Sequence, residues 1–135
     1  MSTPVAIRFD EELLEDVRRL ARRRGTTVSS VVQSFTDEGI RASRVPGIVF
    51  RDGPVGRRAG VAGSLDVWEV MTVVRETEIV DPQTLAADLG VPEHTIMVAL
   101  DYYSQFPDEI DGWIADHDAE TERAYTAWQR KMALP

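Results

Sequence analysis

One short stretch of alternating apolar residues opens the chain, and no second such stretch lies near it in sequence. Val5, Ile7 and Phe9 are separated by single residues, which is the two-residue period of a strand with one buried face. A lone strand leaves its backbone N–H and C=O groups without a ladder, so it needs a partner strand. The economical partner is the same stretch of a second copy, paired antiparallel across a two-fold axis. The sequence therefore predicts a dimer.

Two helices are predicted to follow this strand. Asp10 can cap the first helix, Gly25 can end it, and Thr27 can cap the second. The first helix carries an apolar stripe at helical spacing, made of Leu13, Leu14, Val17, Leu20 and Ala21. The stripe of the second helix consists of Val28, Val31, Val32, Phe35, Gly39 and Ala42. Together with two paired strands, four such helices would close one shared core.

This pattern resembles the ribbon-helix-helix family, the Arc- and CopG-like repressors. The resemblance rests on residues 5–9, the acidic start of the first helix, residues 24–29 and the valine-rich second helix, about a third of the chain. It implies that the two-stranded ribbon enters the major groove of operator DNA. It also implies that the start of the second helix grips a backbone phosphate through the amides of Val28 and Ser29, with Thr27 beside them.

The register of the ribbon selects the side chains that would face the bases, namely Pro4, Ala6 and Arg8. The guanidinium fork of Arg8 can bond guanine bidentately, whereas Ala6 offers only an apolar contact to a thymine methyl group. We therefore expect modest sequence discrimination that depends on Arg8. The arginines at 22–24 suit either the helix dipole or nonspecific phosphate contact.

Charge is divided unevenly along the chain. Residues 1–45 carry eight Arg against seven acidic residues, and residues 46–135 carry seven basic against sixteen acidic residues, for a total of −8. A phosphate-rich partner should meet the first segment, because the second would repel it. Pro46 and Gly47 mark the boundary. The predicted domains are 1–45, 46–106 and a docking helix at 107–135.

The second domain is predicted to begin with a β-hairpin. Apolar runs at 48–50 and 59–62 flank turn-forming residues at 51–58. No Gly-Lys-Ser/Thr follows the glycines of this segment, so they do not form a phosphate-binding loop. Helices are then expected from Asp66, with Glu69 completing a capping box, and from Asp81-Pro82.

A helix-turn-helix shape is indicated by Ala86, Gly90 and Ile96, with the second helix opened by Pro92. Its would-be recognition helix displays Glu93, His94, Thr95 and Asp101, without any Arg or Lys. Such a surface matches phosphates poorly, so we expect a structural or protein-binding role for this unit.

Residues 46–50, 56–59 and 65–70 resemble a family of domains of unknown function, numbered 433, over about residues 46–114. That family is similar to VapB-type antitoxins, whose partners are PIN-like ribonuclease toxins. The chain departs from the family pattern at 63–65, where Gly-Ser-Leu stands in place of the usual Gly-Thr-Arg. The resemblance implies a cognate toxin as partner.

The tail, from Pro107, reads as a long helix with a broad apolar stripe. The stripe either packs on the chain's own core, pairs within the dimer, or lies in a groove of the partner. The candidate partner-binding apolar residues are Trp113, Ile114, Tyr125, Trp128 and Met132. Arg57, Arg58, Arg130 and Lys131 are the candidates to enter the acidic metal site of a toxin.

Several function classes are disfavoured. The chain has no cysteine, which removes disulfides, thiolate zinc sites and thiol catalysis. Its two histidines, His94 and His117, lie far apart, and adjacent residues at 116–118 point different ways on a helix. No apolar run is long enough to span a bilayer, and the start of the sequence lacks the pattern of a signal peptide. We expect no enzyme, metal, cofactor or membrane contact, and a cytoplasmic protein.

These observations give one hypothesis and its alternatives. The fold class is α+β, mainly α: an intertwined ribbon-helix-helix dimer, a small hairpin and helix-turn-helix domain, and a long C-terminal helix. The expected function is an antitoxin of a type II toxin–antitoxin system that inhibits a PIN-like ribonuclease and autorepresses its operon, as a homodimer or higher even oligomer. The alternatives are a dimeric protein-interaction adaptor and a stand-alone transcriptional regulator without a toxin.

Overall fold

The protein, a computed structural model, is described over residues 1–53 and 56–135. Two residues of the predicted turn, Pro54 and Val55, lie outside the described part. The described elements are, in chain order, α1 Glu11–Arg24, α2 Val28–Arg44, β1 Ile48–Gly53, β2 Gly56–Val61, α3 Val67–Thr77, α4 Pro82–Leu89, α5 Glu93–Gln105 and α6 Pro107–Met132. The predicted class, mainly helical with one antiparallel hairpin, is confirmed.

The chain divides into two compact units, Met1–Arg41 and Ala42–Pro135, called unit 1 and unit 2. The division lies four residues before the sequence boundary at 45. Helix α6 belongs to unit 2, since Ile110 and Ile114 are part of its core. The residues predicted as a separate docking helix therefore begin inside the second unit.

Unit 1 consists of an N-terminal segment without regular secondary structure and two helices whose ends follow the sequence signals. The side chain of Asp10 accepts a hydrogen bond from the backbone N–H of Leu13, and Gly25 ends α1 in the left-handed conformation at φ 63°. Thr27 caps α2 by accepting a hydrogen bond from Ser30 N at 3.1 Å. These caps set the chain direction on either side of the turn at Gly25.

The N-terminal segment differs from the prediction in one respect. Residues 1–10 contain no strand within the single chain, although we expected one over 5–9. The physical reason is that a β-ladder needs a second strand, and residues 11–44 are almost entirely helical. Val5 and Ile7 are 77% and 62% exposed. The segment therefore has no regular secondary structure in one copy.

Unit 2 begins with the predicted hairpin, but its strands extend into the segment predicted as a turn: residues 51–53 belong to β1 and residues 56–58 to β2, because the backbone pairing continues through Arg51 opposite Arg58. Strands β1 and β2 pair antiparallel, with Ile48 opposite Val61 and Phe50 opposite Ala59. Asp66 then opens α3 with a capping box, in which its backbone N–H donates to Glu69 at 3.1 Å. Helices α4 and α5 form the helix-turn-helix shape around Gly90, which is left-handed at φ 66°.

The hairpin and the four helices of unit 2 enclose one apolar core. Leu85, Ile96 and Tyr102 are completely buried at its centre. The Tyr102 hydroxyl donates to Glu109 at 2.6 Å, which gives the buried phenol a partner on α6. The buried apolar residues of unit 2 form one contiguous cluster. No described helix is both long and apolar enough to cross a membrane.

Candidate functional site

An apolar groove lies open on unit 1. It has a volume of about 560 Å³ and is bounded by the N-terminal segment, α1 and α2. Its lining is largely apolar, comprising Ile7, Phe9, Leu13, Val17, Leu20, Val31, Val32 and Phe35 with Asp16 and Thr36. Leu13 and Phe35 are 51% and 39% exposed. This groove, called here the unit 1 groove, is lined by the apolar stripes of both helices and by Ile7 and Phe9 of the N-terminal segment.

The three residues predicted to read DNA bases lie on the same segment. Pro4, Ala6 and Arg8 are all exposed. They alternate in sequence with Val5, Ile7 and Phe9, and two of those alternates, Ile7 and Phe9, line the unit 1 groove. Arg8, Ala6 and Pro4 are not among the residues that line the groove.

The predicted phosphate contacts lie at the start of α2. The first backbone bond of that helix runs from Val31 N to Thr27 O at 3.1 Å, so the N–H groups of Val28 and Ser29 precede the intrahelical ladder. Ser29 is exposed and its hydroxyl accepts from Gln33 at 3.4 Å. The geometry suits an anion at this helix end, and the Thr27 hydroxyl is already engaged with Ser30.

The arginines of α1 are partly neutralised along the helix. Arg22 lies 3.5 Å from Glu15, and Arg19 lies 3.0 Å from Asp16. The guanidinium of Arg24 stacks 5.0 Å from the centre of the Phe35 ring and so crosses from α1 to α2. The structure thus gives Arg24 a role in joining the two helices.

The hairpin carries a buried ionic cluster that the sequence did not reveal. The carboxylate of Asp66 is 5% exposed and lies 2.7 Å from Arg51 and 3.0 Å from Arg58. Arg51 also donates to the carbonyl of Val61. A Cβ at Gly60 would clash with the Arg51 guanidinium, so a larger residue there would displace that side chain from its place beside Asp66. The available signal was the capping acid that directly follows an arginine-rich hairpin.

Two of the predicted partner-binding residues, Arg57 and Arg58, form ion pairs within the chain. Arg58 is 23% exposed, and its Nε lies close to Asp66 without a hydrogen-bond partner among the described residues. Arg57 is 26% exposed and bonds Asp52 at 3.1 Å across the hairpin. Both guanidinium groups are therefore committed to intrachain carboxylates.

The base of α6 packs on unit 2. Ile114 is 3% exposed and lies in the core, so its predicted role as a partner contact is corrected to a core role. The physical reason is the α6 start, which places Ile110 and Ile114 on the face that meets the body of unit 2. Trp113 is half-buried and lines a cleft of about 410 Å³ with Arg58, Trp68 and His117. The Trp68 and His117 rings lie 4.7 Å apart.

Beyond His117, whose ring contacts Trp68, the rest of α6 projects from the described body of unit 2. From Ala115 to Lys131 every residue but Thr126 is exposed. Tyr125, Trp128 and Met132 are 57%, 55% and 58% exposed, and the two aromatic rings stack at 6.0 Å. The predicted basic candidates, Arg130 and Lys131, lie on this same projecting part. The structure therefore leaves open to solvent three of the five apolar residues predicted to bind a partner.

The helix-turn-helix of unit 2 presents an acidic surface. Glu93, His94 and Asp101 are exposed on α5, whereas Thr95 is buried. At the start of α4, hydrogen bonds from the Thr84 side chain and backbone hold the pKa of Asp81 below its ordinary value. Asp81 thereby acts as a helix cap, as its position before Pro82 predicts.

No group of side chains suited to a metal ion occurs within residues 1–53 and 56–135. The exposed apolar features of unit 1 and α6 are the strongest sites for interaction with other molecules, because large open apolar patches mark such sites. No protein-family model, curated protein or solved structure matches this chain.

Proposed function

We propose that the chain is a dimeric, DNA-binding antitoxin. In this proposal two copies of unit 1 form a ribbon-helix-helix dimer that binds operator DNA and represses the operon. The projecting part of α6 binds and inhibits a PIN-like ribonuclease toxin. The observation that carries the proposal is the unit 1 groove, which one copy of the chain leaves open.

The groove supports dimerisation because an apolar opening lies beside an N-terminal segment that has no strand partner in one copy. Leu13 and Phe35 border the groove, and Ile7 of the N-terminal segment lines it. A second copy would cover the apolar side chains and would also supply the missing strand partner for residues 5–9. One two-fold contact therefore meets both requirements.

Once the apolar side of the ribbon is covered, its outer side is left for DNA. Two copies of Arg8 would then face the major groove, one from each strand, and each can bond a guanine. The open amides at Val28 and Ser29 would meet phosphates on either side of the site. The near-neutral charge of residues 1–45, against the strongly acidic remainder, favours the first segment as the DNA contact.

The toxin-binding part of the proposal rests on α6. A helix that presents Tyr125, Trp128 and Met132 at spacings of three and four residues suits an apolar groove on another protein. Aromatic residues of this kind dominate binding energy at interfaces. Arg130 and Lys131 lie beside them and can neutralise an acidic active site.

A gel-shift titration with DNA from the chain's own promoter tests the DNA-binding part. Arg8→Ala should weaken binding at least about 30-fold, since two bidentate contacts of about 1–3 kcal/mol each are lost. Arg18→Ala is the matched control, because Arg18 is an exposed arginine lying 4.0 Å from Glu15 on α1. Absence of a shift, or equal effects of the two substitutions, contradicts the proposal.

Co-expression with the product of the adjacent gene tests the toxin-binding part. The double substitution Trp128→Ala and Met132→Ala should abolish neutralisation of a toxic neighbour while leaving the gel shift intact. Val80→Ala is the control, because Val80 is a similarly exposed apolar residue elsewhere in unit 2. Neutralisation that survives the double substitution excludes α6 as the inhibitory helix.

A second candidate function is a dimeric adaptor in which the ribbon serves only self-association. The presence of Pro4 and Ala6 on the outer side of the ribbon favours this alternative, because neither can hydrogen-bond base edges through its side chain. The two functions differ in salt dependence. Operator affinity that falls steeply with salt concentration supports DNA binding, and weak, salt-insensitive association supports the adaptor.

A further inference from the structure

A cleft of about 410 Å³ lies in unit 2 between the hairpin, α3 and α6. Its aromatic lining consists of Trp68 from α3 with Trp113 and His117 from α6, and Arg58 of the hairpin lines it as well. A volume of this size falls within the range of small-molecule pockets, about 300–1,000 Å³. All of the lining residues belong to one compact unit, so the cleft is complete in a single copy of the chain.

The hairpin side of the cleft carries a guanidinium group that is only partly neutralised. One carboxylate, that of Asp66, serves both Arg51 and Arg58, at 2.7 and 3.0 Å. Arg58 approaches Asp66 through Nε, and its terminal nitrogens donate no hydrogen bond within the described residues. Arg58 is 23% exposed, so its charge has lost much of its hydration. An anion beside it would supply the missing acceptors.

The wall of the cleft holds a second donor without an acceptor. The indole N–H of Trp68 is buried and makes no hydrogen bond among residues 1–53 and 56–135. Over the same residues, the other buried side-chain atom in this state is Nε of Arg58. Both atoms are donors, both belong to residues that line one cleft, and such unpaired buried groups are rare in folded proteins. The cleft is therefore matched to a ligand that brings hydrogen-bond acceptors.

Two acidic side chains on the α6 side limit the charge of that ligand. Glu120 is held by Arg123 at 2.8 Å, and Asp116 is exposed. Residues 46–135 carry seven basic against sixteen acidic residues, so a ligand with several negative charges would be repelled. The cleft thus suits a single negative group at Arg58. Its indole and imidazole rings favour an aromatic body on the same ligand.

From these features we propose that the cleft of unit 2 binds a small aromatic monocarboxylate. The carboxylate accepts hydrogen bonds from the guanidinium of Arg58, and the ring packs against Trp68 and Trp113. The site uses no residue of the unit 1 groove and none of the exposed apolar residues at the end of α6. It therefore goes beyond the proposed binding of DNA and toxin and does not depend on either.

Nuclear magnetic resonance of the full chain tests the site, because each of the three tryptophans gives one indole N–H signal. Titration with benzoate should shift the signals of Trp68 and Trp113, which line the cleft, and leave that of Trp128 unchanged. A Trp→Phe substitution at each position assigns the signals. Benzoate that shifts neither cleft signal at millimolar concentration, or that shifts all three equally, overturns the proposal.

Two further probes test the chemical class in the unsubstituted chain. Benzylamine has the ring with a positive charge, and acetate has the carboxylate without the ring. Each should bind at least about tenfold more weakly than benzoate, because each lacks one of the two contacts. Benzylamine that binds as tightly as benzoate contradicts the role of Arg58, and acetate that does so contradicts the role of the aromatic lining.

Substitution of Arg58 tests the anchor. Arg58→Gln should weaken benzoate binding at least about tenfold, since charge-assisted hydrogen bonds are lost, and Arg58→Lys should weaken it less. Arg57→Gln is the matched control, because Arg57 is 26% exposed, pairs with Asp52 and does not line the cleft. Equal losses in Arg57→Gln and Arg58→Gln contradict the proposal. The probe comparison needs no substitution, so it decides the matter even where Arg58→Gln disturbs the hairpin.

Discussion

Units 1 and 2 differ in how much apolar surface one copy of the chain can bury. Residues 1–41, all of which are described, bury only Ala21 and Val31 among their apolar side chains. Across the described part of unit 2, fifteen buried apolar residues form one cluster. The helices of unit 1 nevertheless begin with side-chain caps at Asp10 and Thr27, as α3 of unit 2 does at Asp66. Local sequence signals therefore set the helix starts in both units, and the units differ in how many apolar side chains one copy of the chain buries.

The difference indicates how each unit is stabilised. Unit 2 contains its own core and should respond to substitution as an ordinary domain, whatever the protein concentration. Unit 1 has matching apolar stripes but lacks the surface that would cover them. Its stability should therefore depend on a second copy and rise with concentration.

The largest effect is expected at the ionic cluster of unit 2. Asp66→Ala leaves Arg51 and Arg58 without their shared carboxylate and should lower the free energy of unfolding by about 3 kcal/mol. Asp52→Ala is the matched control, because it removes a carboxylate that pairs with Arg57. The Asp52 side chain is 70% exposed, so its loss should change the free energy of unfolding by less than about 1 kcal/mol. Denaturant unfolding at two protein concentrations measures both. Equal effects would show that the buried cluster contributes no more than a surface pair.

An intermediate effect is expected at Ile7. It distinguishes a unit whose exposed apolar residues are covered by a second copy from a unit whose exposed apolar residues stay in solvent. Ile7 is 62% exposed in one copy, so Ile7→Ser should be almost neutral in a monomer. In a dimer that covers the groove it should cost about 1–2 kcal/mol per chain. Val80→Ser, at a site 67% exposed in unit 2, is the control and should be neutral. Thermal unfolding across a concentration series distinguishes these outcomes, and equal behaviour of the two variants would contradict a covered groove.

The smallest effect is expected at the start of α4. Because the pKa of Asp81 is lowered by hydrogen bonds from Thr84, its ionised form stabilises the folded state. That contribution is present above the ordinary pKa of an aspartate and is lost as the pH falls through the lowered value. Thr84→Ala should therefore reduce the acid dependence of unit 2 unfolding slightly. If the pH dependence of unfolding is the same in Thr84→Ala as in the unsubstituted chain, the hydrogen bond from the Thr84 side chain to Asp81 does not stabilise the fold.

The sequence predicted the local elements well because their signals are local. Gly25 and Gly90 end helices in the left-handed conformation, and Asp66 with Glu69 forms the capping box. The hairpin followed from two apolar runs around a turn. Each of these predictions depends on residues within a few positions of one another, so one chain is enough to test it.

The features that sequence reasoning missed depend on distant residues. Asp66 gathers two hairpin arginines, and that contact cannot be read from spacing because it depends on how the hairpin packs on α3. Ile114 shares the apolar stripe of α6 with Trp128, but the body of unit 2 covers only the first turns of that helix. The elements packed against α6 decide which residues of its apolar stripe are buried and which are exposed to solvent, and the stripe alone does not show where those elements end.

Amide hydrogen exchange at residues 5–9 tests the central claim, that a second copy completes unit 1, most directly. In one copy these residues form no strand, so their amides would exchange at the rate of an open chain. The account predicts protection of alternate amides in this stretch that increases with protein concentration and is lost on dilution. Full exchange at every one of these positions in concentrated protein would contradict it.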